Sequence, residues 1–350
     1  MHDFRVGISP DFYVDAKGRF EFALASKLSG VPGLTYESLP PQPDKLATPA
    51  ALDRFDALFS LGLKIRPESV ERVDRLVLVA RWGVGYDMID VPALTRAGIA
   101  LAITPNAVKR PVAEAILTLI LALSKDLREQ DRIVREGKWR GNLRRLGTTL
   151  QGRTLASIGY GNIAREMFRL SGSLGFGRFL ACDPFADLAA AKAQNVEITT
   201  LEDVLKNGDY VVVNSLLNEH TRGMLGEAQF RIMKPSAFFI NTARGGIVDQ
   251  PALTRALREG WILGAGLDVF DKEPVDPSAE LFHLDNVILA PHGLAWTEEL
   301  ARDNGLEACD NILAVARGEL PPGLVNREVV DHPLFQQKLA RLRAVQEVSA

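Results

Sequence analysis

The feature that most restricts this chain is an apolar run followed at once by two glycines and then by a helical pattern. Thr154 to Ile158 leads into Gly159-Tyr160-Gly161-Asn162-Ile163-Ala164, and a helical stretch continues to Ser173. A buried strand, a tight turn and a helix in that order form the opening of a βαβ unit, which demands parallel strands. The rest of the chain repeats this rhythm. Arg5 to Ile8, Ala57 to Ser60, Leu76 to Ala80 and Gly98 to Ile103 read as strands, all before residue 106. Arg178 to Ala181, Tyr210 to Asn214, Ala237 to Asn241, Ile262 to Leu267 and Val287 to Leu289 read as strands after it. Helical segments separate most of them, so the expected class is α/β with doubly wound sheets.

A length of 350 residues suggests two domains of ordinary size. A first domain is expected over residues 1–107, and a second sheet over 108–295. A helical pattern from Thr297 to Arg317 is expected to carry the chain back, ending the first domain by 330. The tail 331–350 reads as one more helix, because Leu334, Phe335, Leu339 and Leu342 fall at helical spacing. Between the sheets, a single long helix is expected from Pro111 to Arg135, with Pro111 in its first turn, where a missing N–H costs nothing.

Hydrophobic residues make up 47% of the chain, enough for sizeable cores, and the formal charge is -3 with both signs mixed. Neither a nucleic-acid surface nor a basic membrane anchor is expected from such a balance. Cys182 and Cys309 form no disulfide framework and lack metal-ligand spacing, so no metal is expected and a reducing compartment fits. The start of the chain lacks a basic-then-apolar plan, and the apolar stretch Ala115 to Leu123 is far too short for a bilayer. A cytoplasmic protein is the expectation.

Chemistry concentrates at five places. In the glycine loop, Gly159 would permit the tight turn and Gly161 would let a pyrophosphate approach backbone N–H groups at a helix N-terminus. Ala164 is small enough for helix–strand packing. Asp183 ends the next strand, roughly twenty residues on, where a carboxylate can accept from ribose hydroxyls. It would repel a 2′-phosphate, and Pro184-Phe185-Ala186-Asp187 offers no Arg to receive one. NAD is favoured over NADP on this ground, against the alternative of a strand–turn–helix with no ligand. Arg244, in Ile240-Asn241-Thr242-Ala243-Arg244-Gly245-Gly246, follows an apolar strand and carries a planar fork suited to a carboxylate. Taken alone it reads first as a capping or surface cation. Glu273 lies in Gly266-Leu267-Asp268-Val269-Phe270-Asp271-Lys272-Glu273-Pro274, and His292 in Pro291-His292-Gly293. Each alone is ordinary. Together a histidine can take a hydroxyl proton while hydride leaves, and a carboxylate can orient its ring. Asp268 could hydrogen-bond a nicotinamide carboxamide or cap a turn.

These motifs stand in one order along the chain. Together with Ala80-Arg81-Trp82-Gly83-Val84-Gly85-Tyr86-Asp87-Met88-Ile89-Asp90, Val112-Ala113-Glu114 and Gly137-Lys138-Trp139, they make the chain resemble the D-isomer-specific 2-hydroxyacid dehydrogenase family over roughly residues 75 to 327. That group includes phosphoglycerate dehydrogenase and glyoxylate/hydroxypyruvate reductases. The resemblance implies a Rossmann NAD domain inserted into a flavodoxin-like substrate domain, with the active site between them, hinge closure, and a homodimer built on the NAD domain. It implies Arg244, Glu273 and His292 as the catalytic trio, with Arg244 and His292 also contacting substrate. Cofactor contacts are implied at Gly159, Tyr160, Gly161, Asn162, Ile163, Asp183, Ser215, Leu216, Thr221, Thr242, Ala243, Asp268, His292 and Ala295. Val84 and Gly85 would present backbone amides to the substrate carboxylate.

Some segments depart from the family's pattern. Asn214-Ser215-Leu216 stands where a His-x-Pro segment is frequent, and Gly293-Leu294-Ala295-Trp296 follows the histidine. Val108-Lys109-Arg110-Pro111 places two cations where small and acidic residues are usual; they could face an anion or form a solvated pair at a helix start. Two functions of different class remain: an NAD-dependent oxidoreductase for a small 2-hydroxy or 2-oxo acid, and an NAD-sensing co-repressor-like protein without turnover. A relative acting on formate or phosphite is a third.

Overall fold

The computed structural model describes residues 3–349, which divide into two compact units. One comprises the residues up to Val108 together with those from Trp296 onward; the other runs from Lys109 to Ala295. Among the described residues no helix is long and apolar enough to cross a membrane.

The first unit is built on strands β1 (Phe4–Ile8), β2 (Leu34–Ser38), β3 (Ala57–Ser60), β4 (Leu78–Arg81) and β5 (Ala100–Ala102). They pair in parallel in the order β2-β1-β3-β4-β5, the flavodoxin-like arrangement. Strands β3, β4 and β5 are apolar because both their faces are covered. The helix Glu298–Ala316 packs on β3 and β4 through a face that buries Leu300, Ala301, Ala308, Ile312 and Val315. Its first turn is capped by the Thr297 hydroxyl, which accepts from Leu300 N–H at 3.1 Å. A last helix, Pro333–Ser349, docks through buried Phe335, Leu339 and Leu342. Gly98 is required beneath it, since a Cβ there would lie 2.6 Å from the Phe335 nitrogen.

The second unit holds β6 (Thr154–Ile158), β7 (Arg178–Cys182), β8 (Val196–Ile198), β9 (Tyr210–Val213), β10 (Phe238–Asn241), β11 (Gly264–Leu267) and β12 (Val287–Leu289). Their order is β12-β11-β10-β9-β6-β7-β8, again all parallel. The order in which strands are added reverses between β6 and β9, with β7 and β8 laid to one side and β10 to β12 to the other, which sets the ligand-binding crevice of a Rossmann sheet at the C-terminal ends of β6 and β9. Period-two alternation divides the core. On β9, Val211 and Val213 enter one apolar cluster with Phe239 and Leu267, while Tyr210 and Val212 enter the opposite one with Leu155 and Ile240. Both faces are helix-covered, so the run Tyr210 to Val213 is buried throughout.

Two differences from the sequence reading have physical causes. The connecting helix begins at Pro105 rather than Pro111 and stops at Ser124, with a separate helix Leu127–Arg135 beyond it. Pro105 can occupy the first helical position, and the Glu307 carboxylate receives the free Asn106 and Ala107 N–H groups at 3.4 and 3.1 Å. Pro111 therefore sits inside the helix. The break follows from Asp126, whose φ of 53° is left-handed. Strands β2 and β8 have no counterpart in the apolar pattern because neither carries an apolar run: β2 is almost wholly exposed and β8 spans 3 residues.

Candidate active site

The C-terminal ends of β6, β7, β9, β10, β11 and β12 carry the site residues of the second unit. After β6, Gly159 adopts φ 102°, and a Cβ there would come 2.7 Å from the Asn214 carbonyl oxygen. Only glycine allows β6 and β9 to approach so closely. Gly161 has open space above it and heads the helix Asn162–Ser171, which no side chain caps. An anion can therefore reach the first-turn N–H groups, including those of Asn162 and Ile163. The Tyr160 ring is buried against Phe168, with its hydroxyl donating to Gln194 Oε1 at 2.8 Å, so only the Tyr160 backbone borders the crevice.

Asp183, just past β7, is fixed in place: Oδ2 accepts from Tyr160 N–H and Oδ1 from Phe185 N–H, each at 2.8 Å. One lone-pair direction on each oxygen stays available for further donors. After β9, Ser215 donates to the Ile158 carbonyl at 2.9 Å, and Thr221 donates to the Leu216 carbonyl at 2.6 Å, stitching residues 215–221 into a defined rim. Leu216 is exposed on that rim.

At the end of β10, buried Asn241 shapes the next turn. Its Oδ1 accepts from Ala243 N–H and its Nδ2 donates to the Arg244 carbonyl, both at 3.0 Å. Thr242 directs a buried hydroxyl that has no partner within the protein, as expected of a group meant for a ligand. Gly245 packs directly on the chain after β11: a Cβ would lie 1.9 Å from the Phe270 carbonyl carbon. That contact brings Arg244 beside the loop that bears Glu273. The Arg244 guanidinium also donates to the Ala243 carbonyl at 2.7 Å.

Glu273 and His292 meet there. His292 Nδ1 lies 2.7 Å from Glu273 Oε2, and Glu273 Oε1 accepts from Phe270 N–H at 3.0 Å. Burial alone would raise the Glu273 carboxyl. The His292 hydrogen bond and charge, the Phe270 N–H and the charge of Arg244 outweigh it and hold the carboxyl below its usual range. His292 has φ 54°, a left-handed backbone uncommon outside glycine. Asp268 explains how that turn is held. Its carboxylate, 4% exposed, accepts from Gly293 N–H at 3.0 Å and Leu294 N–H at 3.2 Å. Burial nevertheless raises its carboxyl, with those two hydrogen bonds opposing. Ala295 is buried behind the same turn.

The structure thus brings Arg244, Glu273 and His292 together and places the residues that the sequence offers for a nucleotide along the same sheet edge. Val84 and Gly85 follow β4 in the first unit. Lys109 and Arg110 stand on the helix Pro105–Ser124, where Arg110 pairs with Glu114 and approaches Glu166 at 3.6 Å. Neither Asn241 as the turn former nor Asp268 as the tether of the His292 turn follows from the motif pattern. An Asn or Asp closing an apolar strand is the signal that points to such turns.

This arrangement couples a carboxylate-oriented imidazole to a fixed cation beside a nucleotide crevice, the parts of a hydride-transferring oxidoreductase. Residues 117–293 match the family model described as D-isomer specific 2-hydroxyacid dehydrogenase, NAD binding domain. A glyoxylate reductase of Korarchaeum cryptofilum is 41% identical over 279 residues, covering 79% of this chain and 84% of that protein. One from Aeropyrum pernix is 38% identical over 283 residues, with 79% and 84% covered. The crystal structure of a glyoxylate reductase from Paecilomyes thermophila superposes with TM-score 0.79 at 26% identity, covering 92% of this chain and 98% of that one. The chain belongs to the D-isomer-specific 2-hydroxyacid dehydrogenase family. It is an NAD-dependent dehydrogenase of that family. The open Gly161 cradle, the uncapped helix and the orphaned Thr242 hydroxyl all fit NAD.

Proposed function

We propose that this enzyme reduces glyoxylate and closely related 2-oxo acids, with His292 as proton donor, Glu273 as its orienting carboxylate and Arg244 as the substrate anchor. The observation that carries this reading is the 2.7 Å contact between His292 Nδ1 and Glu273 Oε2. With Nδ1–H directed at the carboxylate, Nε2 is the nitrogen left to exchange a proton with substrate. Bound NADH supplies the hydride that adds to C2 of the acid. The Nε2 proton passes to the 2-oxo oxygen as negative charge grows there, and the Glu273 carboxylate holds the ring in place for the transfer. Arg244 receives the substrate carboxylate and polarises the 2-oxo group with a charge fixed in advance. Backbone N–H groups of Val84 and Gly85 bind the carboxylate as well. In the reverse direction Nε2 takes the hydroxyl proton of a D-2-hydroxy acid.

On the nucleotide side, Gly159, Tyr160, Gly161, Asn162 and Ile163 are assigned to the pyrophosphate and Asp183 to the adenosine ribose, favouring NADH over NADPH. Ser215, Leu216, Thr221, Thr242, Ala243, Asp268 and Ala295 are assigned to the remaining length of the cofactor. Glyoxylate is suggested by the names that relatives 41% and 38% identical carry. A homodimer through the NAD unit belongs to the same reading. It is supported by Leu127, Val134, Trp139 and Leu146, large apolar side chains exposed along one stretch of that unit.

The test is a set of initial rates with glyoxylate, hydroxypyruvate and pyruvate, each with NADH and NADPH. Glyoxylate with NADH is expected to give the highest kcat/KM. Failure to oxidise NADH with any of the three acids would overturn the assignment.

A further inference from the structure

The turn after β4 is held from both ends, on one side by Arg81 and on the other by Thr104 and Asn304, two residues that no motif identifies. Gly83, with φ 116°, donates its N–H to the Thr104 hydroxyl at 2.8 Å. That hydroxyl in turn donates to Oδ1 of Asn304 at 2.6 Å, and the Gly83 carbonyl accepts from Thr104 N–H at 3.2 Å. Thr104 and Asn304 are both buried, so no water competes for these bonds. Two residues further on, Arg81 Nε donates to the Gly85 carbonyl at 2.9 Å, and its guanidinium also reaches the Trp82 carbonyl. Trp82 N–H is anchored on the Ser60 carbonyl at 2.8 Å. The Val84 and Gly85 N–H groups lie inside this bracket, flanked by fixed carbonyls and a fixed glycine.

We propose that Thr104 and Asn304 are positioning residues for the reaction. They act through the Gly83 backbone to hold the Val84 and Gly85 amides at the spacing that receives the substrate carboxylate. This rests on the reading above in which those amides bind the acid. The Thr104 hydroxyl fits the task because it accepts and donates at once. Its donated bond to Asn304 orients its lone pairs toward Gly83, and each bond polarises the next. A carboxylate bound by two main-chain N–H groups is sensitive to their alignment, since hydrogen bonds weaken steeply with angle. Asn304 stands on the helix Glu298–Ala316, a rigid element, so the Gly83 end of the turn is fixed by the scaffold.

Thr104→Val keeps the shape and removes both bonds; Thr104→Ser keeps the hydroxyl; Asn304→Leu removes only the outer acceptor. Thr104→Val is expected to raise KM for glyoxylate about tenfold, with kcat within about twofold and the Kd for NADH unchanged. Thr104→Ser is expected to restore KM, and Asn304→Leu to fall between. A wild-type KM in Thr104→Val, or a Ser variant no better than the Val variant, overturns the proposal. So does an equal loss of NADH affinity, which would mark general damage. Should Thr104→Val not fold, Asn304→Leu decides, and an unchanged KM there overturns the proposal equally. Val84→Pro, which deletes one of the amides, separates the two claims. If Val84→Pro raises KM while Thr104→Val does not, positioning by Thr104 fails alone. If Val84→Pro leaves KM unchanged, the carboxylate assignment of the turn itself fails.

Discussion

The ring of His292 is oriented by Glu273, a residue 19 positions earlier in the chain, across a 2.7 Å contact between Nδ1 and Oε2. Glu273 is held below its usual range once burial is outweighed by the His292 hydrogen bond, the charges of His292 and Arg244 and the Phe270 N–H.

Glu273→Gln should therefore lower kcat for glyoxylate reduction by roughly tenfold or more, because the charged acceptor that orients the ring is lost. NADH affinity should stay nearly intact. Steady-state rates set beside a fluorescence titration of NADH read this directly. A wild-type kcat would remove Glu273 from its assigned role.

Arg244→Lys keeps the charge and loses the fork. KM for the 2-oxo acid should rise and kcat fall together, lowering kcat/KM by roughly ten- to a hundredfold. NADH affinity, measured by fluorescence titration, should stay nearly intact. Wild-type kinetics in this variant would make Arg244 a structural residue.

Asp183→Ala should relax the choice of cofactor. The carboxylate is aimed by two backbone N–H groups, and its removal deletes both the ribose acceptor and the charge that repels a 2′-phosphate. The ratio of kcat/KM for NADPH to that for NADH should rise about tenfold or more. A wild-type enzyme that already prefers NADPH would contradict the assignment.

How much of this was legible in the sequence depends on whether a residue's role is local. β9 could be read from Tyr210 to Val213 because burial on both faces leaves an unbroken apolar run. β2 and β8 could not, because β2 is exposed along nearly its whole length and β8 spans only 3 residues, with Glu197 exposed at its centre. Gly159 and Asp183 were legible because a strand–turn–helix fixes their spacing. Arg244, Glu273 and His292 were legible only as a set in a fixed order. Asp268 as the tether of the His292 turn was not, since its partners Gly293 and Leu294 are met only once β11 and β12 lie side by side. The Thr104–Asn304 pair, separated by 200 residues, leaves no local signal at all.

The last helix contributes a pH-dependent element of its own. Lys338 donates to the carbonyls of Val73, Leu76 and Ala97 at 3.2, 2.8 and 2.9 Å. Burial pulls its ammonium from 10.5 down to about 8, against Asp74 and Asp53. Between those values the unfolded chain holds a proton that the native chain lacks, so this group's contribution to stability rises with pH across that window. Below about 8 both states are protonated and the contribution is flat. Lys338→Met should cost roughly 1–3 kcal/mol through the carbonyls it strands. The gap in urea midpoint between wild type and variant should widen as pH rises from 8 toward 10.5. A gap that narrows over that range would contradict the assignment.

The most direct test of the whole account is the turnover of His292→Ala with glyoxylate and NADH, set beside its NADH affinity. A general acid that delivers the proton in the transition state predicts a kcat lower by roughly a hundredfold or more, with the Kd for NADH little changed. A variant that turned over at the wild-type rate would show that the proton comes from elsewhere, and that the His292–Glu273 pair is not the catalytic centre.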